Sequence, residues 1–295
     1  MNWNCINDKK LPKDTEPVFL AKKPTHNLIE DCLLGIYIPK IDNGRGGWLV
    51  GDNGDVITLS SRPYWTLLNV EVIGMPNTEN DTVLTQYLDQ QLGNLASFEK
   101  RFQKLSQCMM LSEGGNVYPL DIFISGIISR SLSLIYGFET LINSSNFLAA
   151  AHLVRPHLDN FLRLFAAWQV STPHDFATSV SQGEPIRKMK DREGKYMTEA
   201  YLKELATKEY DWIASVYNAT SGFIHFSEKH IKNATSLSDQ DEGVFNTFIG
   251  KMDHKVSDKS KLEATFAMIE ISNCIALQIY GYIETKRMVE IKKSS

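Results

Sequence analysis

The chain has 295 residues, 43% hydrophobic and 22% charged, with a formal net charge of −4. A chain of this length can bury a substantial core, and the composition excludes an intrinsically disordered protein. The negative balance argues against a surface built for tight non-specific binding to nucleic acid, while leaving room for a local basic groove.

Residues 1–76 have the texture of a small antiparallel β-rich module. The segments 33–38 and 64–73 are rich in β-branched and aromatic residues, as strands are. Between them, Trp48-Leu49-Val50 and Val56-Ile57-Thr58-Leu59 flank Gly51-Asp52-Asn53-Gly54-Asp55, where Asn-Gly favours a hairpin turn. Gly44-Arg45-Gly46-Gly47 lacks the strand–loop–helix context of a phosphate loop and reads as a turn. A linker, 75–81, ends in a helix cap.

From residue 81 to 295 the period becomes helical. Leu84, Leu88, Leu92, Leu95, Phe102 and Leu105 form one stripe of a long helix reaching about residue 111, broken by Ser112-Glu113-Gly114-Gly115-Asn116. A second helix is expected over 120–143 and a third over 147–170. The second is the most apolar stretch, yet it carries Arg130 and Glu139. A bilayer span needs about 20 nearly uncharged residues, so no membrane partner is expected. Residues 172–196 are polar, with Pro173, Gly183, Pro185, Gly194 and the basic run Arg187 to Arg192, and read as a mobile loop. Helices follow from Thr198, from Tyr210 to about 231, and from 259 to 291. The basic end of the last helix, Lys286 to Lys293, suits the negative end of its dipole.

The amino terminus is polar, without the apolar core of a signal peptide. Cys5, Cys32, Cys108 and Cys274 are scattered with no CxxC pair. Both features point to a cytoplasmic protein in a reducing compartment.

Two polar clusters interrupt otherwise apolar helices. In the first, His152, Arg155 and Asp159 stand at i, i+3 and i+7 and share a face, with Arg155 and Asp159 spaced to pair. Pro156 sits among them and is expected to kink the helix. In the second, Asn218, Ser221 and His225 form a stripe, followed by His230. If the two helices pack together, an Arg/Asp/His/Ser constellation is built inside a bundle. The same residues admit a structural reading, in which Arg155–Asp159 is a buried ion pair capped by His225. No metal is expected, because His152/His157 and His225/His230 are spaced i, i+5 and not i, i+4. No cofactor motif is present.

The pattern Ala150, His152, Arg155, Asp159, then Thr198 to Leu202, then Tyr217-x-x-x-Ser221-x-x-x-His225, resembles the HEPN-like bacterial helical proteins of the DUF5677 type over about residues 81–290. The resemblance implies a mainly α, HEPN-like helical bundle, here preceded by the β-rich amino-terminal module. It also implies homo-oligomers, frequently dimers, and in many members metal-independent RNA cleavage. Those members carry an arginine and a histidine on one helix, with four to six residues between them. This chain departs from that pattern: Asn218, Ala219 and Thr220 occupy those positions, so the arginine would come from Arg155. The expectation is a bacterial effector or accessory protein of a defence or toxin-like system, with RNA as candidate partner. His225 would be the general acid/base, Arg155 would hold the phosphate and Asp159 would orient it, with Asn218, Ser221, His152 and His230 on the substrate. The alternative is a non-catalytic oligomerisation or binding module that meets a protein partner through residues 1–76.

Overall fold

The computed structural model describes residues 81–294 except 225–226, 228–229, 232–233, 238–244 and 254–255. Ahead of Asp81 it describes only short extended backbone segments, without side chains. The described part is mainly helical, 79% of it helix. The expected fold class is corrected accordingly to mainly α. The β-rich module expected at residues 1–76 is unsupported, because a sheet becomes a folded body by packing a face, and the side chains there lie outside the described residues. The expected hairpin loop at 51–54 and the turn at 44–46 lie outside the described residues.

The expected long first helix is two helices, α1 (Asp81–Ala96) and α2 (Phe98–Leu111), divided at Ser97. The apolar stripe runs through both, burying Leu84, Leu88, Leu92 and Leu95 and then Phe98, Phe102, Leu105 and Met109. Periodicity along the segment does not reveal the break at Ser97. After α2 the chain turns through Gly114 (φ 65°) and Gly115 (φ 79°), left-handed values that glycine adopts without a steric penalty.

Helix α3 spans Pro119–Asn143, and the Asp121 carboxylate accepts the Tyr118 backbone N–H at 2.7 Å at its start. Helix α4 spans Phe147–Ala167; the Asn146 side chain caps it by accepting the Ala149 N–H at 3.2 Å. The helix continues through Pro156. A Cβ on Gly137 would lie 3.1 Å from a Leu153 methyl, so α3 and α4 approach closely there.

Residues 172–196, expected to form a mobile loop, are ordered. Helix α5 (Pro173–Ser181) starts on its proline, and a turn of 3-10 helix follows at Ile186–Lys188. Lys190 and Tyr196 then bridge a short hairpin. Phe176, Ile186, Met189 and Met197 are buried, anchors too sparse to register as a period. Helix α6 spans Glu199–Glu209, capped by the Thr198 hydroxyl, and α7 spans Trp212–Ile224. The last helix, α8, runs Asp258–Ser294 and buries Leu262, Ile269, Ala276, Ile279 and Ile283.

Two compact units divide the chain. Ser97–Ile128 and Ser272–Ser295 belong to one; Ile73–Ala96 and Ser129–Ile271 belong to the other. In the second, α4 packs against both α6 and α7, which also pack on each other. By length and composition alone, α3 and α8 would each suffice to cross a bilayer, but 67% of the apolar window of α8 is buried inside the fold, as in a core helix.

Candidate functional site

The α4–α6–α7 packing brings most of the polar residues singled out above into one region. Arg155 leaves α4 toward α6 and α7. Its Nε and Nη2 donate to Glu199 Oε1 at 3.2 and 2.5 Å, and its Nη1 donates to the Tyr217 carbonyl at 3.2 Å and to Ser221 Oγ at 3.4 Å. The guanidinium carbon lies 3.3 Å from the centre of the Tyr217 ring. Only 11% of the side chain is exposed. Ser221 donates in turn to the Tyr217 carbonyl at 2.8 Å, a local bond within its own helix.

Asp159 does not orient Arg155. It accepts from Arg163 Nε at 2.9 Å and Arg130 Nη1 at 3.2 Å, with Arg130 also donating to Asn160 Oδ1 at 2.6 Å. Asn160 donates to Ser131 at 3.0 Å. The two charges that the helical spacing placed together are thus neutralised separately. Arg163 competes for Asp159 at i+4 on the same helix, while Glu199, 44 residues away, captures Arg155. Glu199 and Tyr217 stand in the segments that carry the family resemblance, but nothing in their spacing marks them as partners of Arg155.

His152 and His230 stand together, their ring centroids 6.1 Å apart and the rings inclined at 62°. His152 Nδ1 donates to the Leu148 carbonyl at 2.7 Å, whereas His230 Nδ1 accepts the Ser227 backbone N–H at 3.1 Å. In their neutral forms, His152 therefore carries its lone pair on Nε2 and His230 its proton on Nε2. Asn218 is exposed on α7. His225 lies outside the described residues. Among the described residues no group of three or more His, Cys, Asp or Glu could hold a metal ion.

His157 was grouped with the first cluster but faces the core. It is fully buried, and its pKa is pushed down to about 3, first by burial and further by the charge of Arg130, against a hydrogen bond with the Met268 backbone. The basic run is in part structural: Arg192 donates to the carbonyls of Trp168, Gln169 and Val170 and so closes the end of α4.

On the other flank of α7 a cleft of about 620 Å³ opens between α4, α7 and α8. Phe147, Ala151 and Val154 line it from α4, and Val216, Ala219 and Phe223 from α7. Spacing along a single helix does not show that alanines of three helices leave this space unfilled. Comparison of the chain with protein-family models, curated proteins and solved structures gave no match.

Proposed function

We propose that the chain is a non-catalytic helical binding module, with the Arg155 cluster structural and the α4–α7–α8 cleft as its binding site. The observation that carries this reading is that all three guanidinium nitrogens of Arg155 are engaged within the fold. Two of its nitrogens are spent on Glu199, the third on Tyr217 and Ser221, and a face of the guanidinium is on the Tyr217 ring. An arginine that clamps a phosphate offers two parallel N–H donors to it. Arg155 would have to abandon Glu199 to do so.

One observation favours the other reading, a metal-independent ribonuclease of a bacterial defence or toxin-like system. The rings of His152 and His230 stand together, 6.1 Å between centroids, and histidine is the side chain most often used in general acid–base catalysis. In that mechanism these two histidines would join His225 in proton transfer.

Labelled RNA incubated with the purified chain in EDTA separates the readings, using wild type, Arg155→Ala, His152→Ala and His225→Ala. The binding-module reading expects no cleavage by any of them. It expects Arg155→Ala to lose about 2 kcal/mol of stability, seen as a melting temperature several degrees lower, because Glu199 is left unpaired. Cleavage by wild type that disappears in the histidine variants at unchanged melting temperature would establish the ribonuclease. Light scattering on the same preparations tests the homo-oligomer that the family resemblance implies.

A further inference from the structure

The cleft has an uneven chemistry. Most of its lining is apolar and includes the edge-on pair Phe147–Phe223, with centroids 6.0 Å apart at 87°. Ala264 and Ala267 of α8 add only methyl groups. The polar lining comes from hydroxyls, with Ser257 and Ser260 hydrogen-bonded to each other at 3.2 Å, and from one charged side chain, Glu263. Glu263 is exposed at the cleft and has no ion-pair partner among the described residues. The nearest basic residues along α8 do not neutralise it: Lys261 is held by Asp258 at 2.7 Å, and Lys259 does not line the cleft.

We propose that the cleft binds a small organic cation: an amine or quaternary ammonium carrying an apolar body. This rests on the binding-module reading and names its ligand class. The volume of about 620 Å³ is within the range of small-molecule sites, roughly 300–1,000 Å³. An apolar body fills the space that the alanines leave. The ammonium meets the exposed carboxylate of Glu263. A carboxylate or phosphate ligand would be placed against Glu263 with no basic side chain among the described lining residues to neutralise it. A neutral ligand would gain the walls alone.

Calorimetric titration of the full chain tests the assignment with three probes of similar length: hexyltrimethylammonium, 1-heptanol and heptanoate. The cation is expected to bind at least about tenfold more tightly than heptanoate, with heptanol between them. Glu263→Gln, at an exposed position, should erase most of that difference, and added salt should shrink it in wild type. Ala219→Leu, which narrows the cleft at an exposed position of α7, should weaken all three probes; an unaltered melting curve for the variant confirms that the fold is kept. Equal binding of cation and anion, or a preference that survives Glu263→Gln, overturns the ligand class and leaves the cleft as a binding site. If no probe binds at millimolar concentration, the cleft itself fails as the site, and the binding-module reading loses its locus.

Discussion

His157 is held neutral by its surroundings: it is fully buried, and burial pushes its pKa from 6.5 down to about 3. Between those values the unfolded chain binds a proton that the folded protein refuses. The stability that comes from a neutral His157 is therefore complete above about pH 6.5 and drains away as the pH falls toward 3, by up to about 1.4 kcal/mol per pH unit. Urea unfolding at pH 7 and pH 5 should show wild type weaker at pH 5. His157→Gln, though less stable at neutral pH, should show a flatter dependence. Equal slopes would assign the acid sensitivity to other groups. Arg155 is the contrasting case at this scale, a largely buried charge whose three nitrogens all donate, to Glu199, Tyr217 and Ser221. Such a residue tolerates Lys poorly, since an ammonium cannot reproduce the planar fork or the stack on Tyr217.

Helix α4 shows how an element is fixed by what lies outside it. Its start is local, the Asn146 side chain accepting the Ala149 N–H. Its end is not: the carbonyls after the last turn are taken by Arg192, more than twenty residues on, and the Arg192 backbone N–H also donates to Gln169 at 2.9 Å. The hairpin that carries Arg192 is braced by Tyr201 of α6, whose hydroxyl donates to Asp191 at 2.5 Å. Arg192→Ala should cost about 1 kcal/mol, the worth of a helix-end hydrogen-bond set at an exposed site, and should loosen the hairpin first. Amide exchange across residues 190–197 is expected to quicken before the middle of α4 changes. Uniform exchange in the variant and wild type would mean that the backbone bonds alone hold the hairpin.

At the largest scale, one compact unit is tied together through Lys286, which joins the segment Ser272–Ser295 to Ser97–Ile128. Its ammonium is buried with the Asp121 carboxylate at 3.0 and 3.2 Å, and it donates to the carbonyls of Met109 and Asn116, each at 2.9 Å. Asp121 is fully buried. Breaking such a pair from one side leaves an uncompensated charge, so Lys286→Met should cost about 3–5 kcal/mol. The double variant Lys286→Met/Asp121→Leu should recover much of it, measured by denaturant midpoint. A single variant as stable as wild type would show that the charge is not sealed from water. In the sequence, Lys286 belonged to a basic run at a helix end, and nothing tied it to Asp121, 165 residues earlier.

Wherever a property depends on neighbours a few residues away, the sequence determined it. The stripes of α1, α2 and α8, the glycine turn after α2 and the Asn146 cap follow from helical period, left-handed φ and side-chain capping. So does the choice of His152, Arg155, Ser221 and His230 as residues that need company, because unpaired polar groups on apolar helices are costly. What the tertiary structure alone decided is which company they keep. The spacing of Arg155 and Asp159 is one of several equally good pairings, and Arg163 and Glu199 are nearer once the helices are packed. The anchors of residues 172–197 are too few to form a period. The cleft exists because alanines from three helices face one another, a coincidence that no single helix records. Local order is written in spacing; partners and empty space arise only when distant segments meet.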